Sequence, residues 1–269
     1  MGRIPRAVWV FLMVAGGGSA GAGEDAFPVI LPGRRWFPEL KADALEPRMA
    51  LSRVLETREW VGAVGGAVPL VEAPVGGVRL QAGVSAVVIS RLIKSPGHIT
   101  VSTVDYRVDF PLDIVLQDAV LRTGYGHLSA HFADDGIEQL GHVSISFVKD
   151  YLLFLAAYGR EHSDWKLYGG GTYSYHNEPV ADRPWMLQMG GETPGARLPW
   201  CFLYAALDLK LRQEVGWGST QSYEAGAVFG GDGRRGMRFA VTHRRGLEER
   251  GQFFRRRMSS TLLSIVLGL

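Results

Sequence analysis

The chain has 269 residues, 46% hydrophobic and 21% charged, which excludes general disorder and suits one large folded domain. Its formal net charge is +2, and removing an expected leader that contains Arg3 and Arg6 leaves basic and acidic side chains equal in number. Neither charge nor compartment then supports a nucleic-acid partner. The single cysteine, Cys201, excludes an intrachain disulfide.

The first 22 residues read as a secretory signal peptide. Arg3 and Arg6 precede an apolar run from Ala7 to Ala15, and Ala20-Gly21-Ala22 supplies a small-x-small cleavage pattern. Residues 23–47 read as a periplasmic lead-in. No apolar run of about 18 residues follows, so helical membrane spans are excluded on length. What recurs from residue 48 to 269 is alternation. Between Tyr204 and Arg212, Ala206, Asp208 and Lys210 share one face, while Leu207, Leu209 and Leu211 share the other. Asp105, Arg107 and Asp109 oppose Tyr106, Val108 and Phe110. Arg238, Thr242 and Arg244 oppose Met237, Phe239 and Val241. At the end of the chain, Leu263, Ile265, Leu267 and Leu269 oppose Leu262, Ser264, Val266 and Gly268.

About twelve strands are predicted, beginning near Arg48, Trp60, Gly77, Thr103, Gln117, Ile145, Asp164, Pro184, Trp200, Ser219, Gly236 and Ser260. Most have the length of a tilted strand crossing a bilayer. With an even strand number, connections at the inner end, such as Glu72 to Gly76 and Gly230 to Arg235, are short. Those at the outer end, such as Ala133 to Ser144 and Gly246 to Met258, are longer, and Glu192 to Pro199 is an exception. Asp, Arg, Lys and His on the inner faces suit a wet lumen and would be costly in the dry core of a sandwich. The fold expected is therefore an all-β, antiparallel outer-membrane β-barrel. Trp36, Trp60, Trp165, Trp185, Trp200 and Trp217 are expected as interfacial anchors near strand ends.

His127, Ser129 and His131 are spaced two apart, and Tyr125 joins their face. With Gly126, Leu128, Ala130 and Phe132 assigned to lipid, the histidines are expected in the lumen near its outer end. Asp134 and Asp135 follow in the adjoining loop. A hydroxyl nucleophile needs a base, and the base an orienting acid, so His127, Ser129, His131, Asp134 and Asp135 form a candidate catalytic set. The first reading of the same group is a hydrogen-bonded lumen cluster that rigidifies the barrel. The ligand types would also suit a metal, although the spacing follows no metal motif, and no cofactor is expected. Arg245, Arg250, Arg255, Arg256 and Arg257 are candidate contacts for lipid phosphate, because guanidinium forks bind phosphate bidentately; a solvated loop paired with Glu248 and Glu249 is the alternative.

From about Phe27 onward the chain resembles the bacterial family of domain of unknown function 1207. The matching pieces are Phe37-Pro38, Ala42-Asp43, Glu46-Pro47-Arg48, His127-Leu128-Ser129-Ala130-His131, Tyr168-Gly169-Gly170, Gly191-Glu192, Ala206-Leu207-Asp208-Leu209 and Gly251-Gln252-Phe253-Phe254. The resemblance implies a signal-bearing outer-membrane barrel and supplies no activity. Over three residues, His127-x-Ser129 is also similar to the arrangement in outer-membrane lipid A deacylases. The leading expectation is a non-enzymatic barrel serving envelope structure or limited solute passage. The alternatives are an acyl-ester hydrolase acting on outer-leaflet lipid and a soluble secreted binding module. The partners expected are outer-membrane lipid, lipopolysaccharide and, through the C-terminal strand, the barrel-insertion machinery.

Overall fold

The computed structural model describes residues 27–95, 97–133, 136–137, 141, 143–159, 165–230 and 236–268, so the expected leader lies outside the described residues. A two-residue strand, β1 (Val29–Ile30), precedes twelve barrel strands. These are β2 (Met49–Val54), β3 (Glu59–Val75), β4 (Val78–Ser95), β5 (His98–Val115), β6 (Ala119–Phe132), β7 (Phe147–Tyr158), β8 (Lys166–Glu178), β9 (Trp185–Arg197), β10 (Cys201–Arg212), β11 (Gly218–Phe229), β12 (Gly236–Leu247) and β13 (Arg257–Gly268). Each barrel strand pairs antiparallel with its sequence neighbours. β13 pairs with β2 from Leu262↔Val54 to Leu267↔Met49, which closes the ring. Closure leaves no continuous sheet edge, the condition a spanning sheet must meet.

One end of the barrel carries the start of β2 and the finish of β13, and is here called the terminus end; the other is the loop end. Connections 76–77, 116–118 and 198–200 at the terminus end are short, while 133–146 and 248–256 at the loop end are long. The exception at Glu192 to Pro199 disappears, because β9 continues to Arg197 and carries most of that segment. Trp60, Trp185 and Trp217 lie near the loop end, and Trp165 and Trp200 near the terminus end.

The alternation sorts as the sequence predicts in most strands. Leu207, Leu263, Ile265 and Leu267 are exposed on the outer wall, as are Tyr106, Phe110, Phe239 and Val241. Asp105, Asp109, Asp208, Lys210, Arg212 and Arg238 are buried within.

The lumen is filled from both ends. The segment between β1 and β2, expected as part of a lead-in, runs into the barrel, and Phe37, Leu40, Ala42, Asp43 and Glu46 are buried there. Glu39 forms a two-pronged pair with Arg238 at 2.8 and 3.0 Å. Asp43 accepts hydrogen bonds from Lys210 and, at 3.2 Å, from Gln188, while its other close cation is Arg107 at 3.8 Å. Lys41 pairs with Glu192, and Phe37 lies 4.0 Å from the Arg122 guanidinium. Trp36, unlike the other tryptophans, belongs to this plug, and its indole donates to Glu72 at 2.8 Å. At the loop end, residues 248–256 fold into the barrel mouth, burying Glu248, Arg250, Gln252, Phe253 and Phe254. Around Phe37, Asp43 and Arg107 the gap between plug and wall is about 20 Å³, room for a single water.

Burial opposes the ionised form of Asp43, yet Lys210 and Arg107 outweigh it and hold the carboxyl well below the usual range. A depressed folded pKa contributes stability that is complete above the unfolded value of about 4 and is lost only as pH falls below it. The plug is therefore expected to stay docked between pH 7 and pH 5, read as unchanged protease resistance of residues 33–47. Asp43→Ala removes one of the two carboxylates in direct ion-pair contact with buried Lys210 and leaves Glu249 at 2.9 Å, and is expected to cost about 3–5 kcal/mol in urea unfolding.

Candidate active site

β6 is the strand whose faces are reversed relative to the sequence expectation. Arg122, Gly126, Leu128 and Ala130 turn inward. Tyr125, His127, Ser129 and His131 turn outward, opposite Phe110, Val108, Tyr106 and Val104 of β5. The reason is room. A Cβ on Gly126 would lie 2.3 Å from both the Asp109 carboxylate and the Tyr151 ring, and Ala130 packs against Phe147 and Phe254. The narrow side of the strand is the one that fits beneath these lumen residues. The histidines and Ser129 therefore do not form a lumen cluster.

Strand register then supplies a partner that sequence spacing missed. His127 lies directly across from Asp150 on β7, and Asp150 across from His176 on β8. His127 Nδ1 and Asp150 Oδ1 are 2.7 Å apart, and His176 Nδ1 and Asp150 Oδ2 are 2.9 Å apart. Tyr125 donates its hydroxyl to Asp150 Oδ1 at 3.1 Å. The chain of contacts continues through His176 Nε2 to Glu178 at 3.5 Å, and Ser146 donates to Glu178 at 2.7 Å. A register shift between Asp150 and Tyr151 lets Tyr175 bulge outward, where it stacks on Tyr125 with ring centroids 6.1 Å apart.

Ser129 sits on the same outer face as His127, one pleat nearer the loop end and across from Val148, where the surrounding side chains leave it only 8% exposed. Its position two residues along a strand puts the two Cβ atoms about 7 Å apart. His131 follows on the same face, 5.9 Å from the Tyr106 ring in an edge contact. Asp134 and Asp135, predicted to orient the base, lie outside the described residues. Among the described residues, no group of three or more His, Cys, Asp or Glu is placed to hold a metal ion.

The ring is buttressed from behind by the inward loop 248–256. Gln252 donates to the carbonyls of Ala130 at 2.6 Å and Ile145 at 2.9 Å, and accepts from the Ile145 amide at 3.1 Å. These bonds tie the ends of β6 and β7 together on the face opposite Ser129 and Asp150. Gly251 is required there, since a Cβ would meet the Phe147 ring at 2.3 Å.

The arginines expected at lipid phosphates divide. Arg245 lies on the outer face of β12 near the loop end, and Arg255, Arg256 and Arg257 are exposed around the start of β13. Arg250 instead points into the barrel, where it pairs with Glu248 and lies 3.7 Å from Glu59. A surface role for Arg250 is corrected by this placement.

Magnitudes separate a stabilising cluster from a functional one. An exposed ion pair in water contributes about 0–1 kcal/mol, whereas a charge on a lipid-facing barrel wall costs about 2–4 kcal/mol at mid-depth and little near the interface. The imidazole–carboxylate–imidazole chain lies nearer the loop end than the exposed apolar residues Leu121, Leu152 and Phe154, on the same outer face.

Residues 63–265 match the family model DUF1207, described as a protein of unknown function. Among curated proteins, no sequence matches the chain. Two solved structures share its fold. One is the outer membrane phospholipase (OMPLA) of Salmonella typhi, a dimer with bound calcium, with TM-score 0.56 and 14% identity over 83% of this chain and 92% of that one. The other is outer membrane phospholipase A from Escherichia coli, with TM-score 0.55 and 14% identity over 83% and 94%.

The assignment of faces is checked by cysteine scanning in a Cys201→Ser background. His131→Cys is expected to react readily with a maleimide, and Ala130→Cys, packed beneath Phe254, to react only after unfolding.

Proposed function

The chain belongs to the DUF1207 family of proteins of unknown function, and from that premise we propose that it is an outer-membrane barrel that hydrolyses acyl esters of membrane lipid on its outer wall. The observation that carries this reading is the His127–Asp150 contact of 2.7 Å on the same exterior face as Ser129. The shared fold with two outer membrane phospholipases supports it, at an identity that speaks for architecture alone.

In this reading Asp150 accepts a hydrogen bond from His127 Nδ1–H, which fixes the tautomer and leaves Nε2 as the free lone pair. Ser129 Oγ attacks the ester carbonyl, and its proton passes to His127 Nε2. The tetrahedral intermediate collapses as the C–O bond to the alcohol breaks, and the alcohol leaves with that proton. Water, deprotonated by the same nitrogen, then attacks the acyl carbonyl, the bond from that carbon to Ser129 Oγ breaks, and the proton returns from His127 Nε2 to Ser129 Oγ as the fatty acid leaves. The nucleophile and base need to approach within about 3 Å, a contact that commonly tightens only when substrate is bound. Tyr125, Tyr175, Phe110 and Tyr106 surround the group with aromatic surface suited to acyl chains. Arg245, Arg255, Arg256 and Arg257 stand at the level where lipid or lipopolysaccharide phosphates would lie, with the termini in the periplasm and the loop end outside. β13, with its apolar outer face, is the segment offered to the insertion machinery.

A second reading, a non-enzymatic envelope scaffold, is favoured by the filled lumen and the many ion pairs within it. The same filling argues against solute passage, since around Phe37, Asp43 and Arg107 the described residues enclose a space of only about 20 Å³.

The hydrolase reading is tested on the folded barrel in maltoside micelles with a fluorogenic short-chain phospholipid. A fluorophosphonate probe is expected to label Ser129, and Ser129→Ala to abolish both labelling and turnover. Asp150→Asn is expected to lower kcat by about 10³–10⁴ through the wrong imidazole tautomer. Equal turnover in wild type and Ser129→Ala would leave the scaffold reading.

A further inference from the structure

At the terminus end, away from His127 and Ser129, a cavity of about 1440 Å³ opens above the plug. Arg35, Lys41, Arg48, Arg79, Lys166 and Arg238 line it, and the lining carboxylates are Glu39 and Asp118. Three of these six cations have a carboxylate each: Arg35 with Glu46 at 2.7 Å, Arg79 with Glu72 at 3.3 Å, Arg238 with Glu39. The other three do not. Lys41 and Lys166 share the one carboxylate of Glu192, and Arg48 donates only to the carbonyls of Lys41 and Asp43. Arg48 has no direct carboxylate partner among the described residues, and Glu39, whose charge it feels, is already held two-pronged by Arg238, so among the described residues the cations around the cavity outnumber the carboxylates that meet them.

The cavity also opens sideways. β2 pairs with β3 only from Ala63 to Trp60, and β1 takes up the same edge of β3 at Val71 and Glu72. Between them, residues 64–69 of β3 have no ladder partner on that side among the described residues. On the far side β13 runs one residue past its last pairing with β2, Leu267↔Met49, so Gly268 is its described residue facing the gap, and Val266, Leu267 and Gly268 line the same cavity. The outer lips, Val64, Val68, Leu267 and Met237, are apolar and exposed. A slot with a basic interior, a polar backbone edge and greasy outer lips has the chemistry of a phosphate-bearing amphiphile.

We propose that this cavity binds the anionic phosphate headgroup of a membrane lipid, which enters through the gap between β3 and β13 while its acyl chains stay on the outer wall. Arg48 and the Lys41–Lys166 pair supply the charge that the phosphate neutralises. Gly66 faces the outer lip with open space around its Cα, so a large side chain there narrows the gap without striking the wall.

The test uses full-length folded barrel in maltoside, with native mass spectrometry and titration of dihexanoyl phosphatidylglycerol, dihexanoyl phosphatidylcholine or inorganic phosphate. The expected result is one phosphatidylglycerol per barrel, bound at least tenfold more tightly than phosphatidylcholine. Arg48→Gln and Lys166→Gln are each expected to weaken it about tenfold, and Gly66→Trp to weaken the lipid while sparing inorganic phosphate. Lys166→Gln leaves the plug's own backbone contacts in place and guards against misfolding of the Arg48 variant. Absence of bound lipid, binding indifferent to both charge variants, or inorganic phosphate binding as tightly as the lipid would each overturn the proposal.

Discussion

The space inside the barrel governs the rest of the structure. A ring of twelve strands encloses a lumen that must be filled, and this chain fills it with a plug from the terminus end, an inward loop from the loop end and large side chains from the wall. Once Tyr151, Asp109, Phe147 and Phe254 occupy the lumen behind β6, only glycine and alanine fit beneath them at Gly126 and Ala130. A one-residue change of register would drive His127 and Ser129 into that space, so steric room, and not polarity, sets which face of β6 turns outward.

That constraint links packing to chemistry. Tyr151 donates to Asp109 at 2.6 Å inside the wall, and the next residue, Asp150, presents its carboxylate outside. Strand alternation places a rigid buried anchor beside an exposed acid, while Gln252 fixes the ends of β6 and β7 from the lumen side. A polar group on the outer wall held by such a backing has little freedom to turn away from its partner, which is the condition a base and its orienting acid require.

Much of the fold was legible because charged side chains on one face and leucines on the other report directly on a wet interior and an apolar exterior. β5, β10, β12 and β13 follow that rule, and the strand starts fall within a few residues of those predicted. β6 breaks it: apart from Arg122, which meets Asp113 in the lumen, its polar residues Tyr125, His127, Ser129 and His131 lie on the outer face, and polarity alone assigns them to the lumen. Asp150 lies 23 positions from His127 in sequence, and only the β6–β7 register brings them together. Arg250 looks like its neighbours in a basic stretch, and its inward turn depends on Glu59, from the far side of the chain. The plug carries no periodic pattern, since it is extended chain held by ion pairs to several strands, and spacing along the sequence contains no trace of them.

The most direct measurement is magnetisation transfer from lipid to protein, recorded by NMR on deuterated barrel with protonated His and Tyr rings in nanodiscs. The account predicts cross-peaks from glycerol and upper acyl-chain protons to the rings of His127, His176 and Tyr125, and none to Tyr151. Lipid contact at Tyr151 with His127 silent would contradict it.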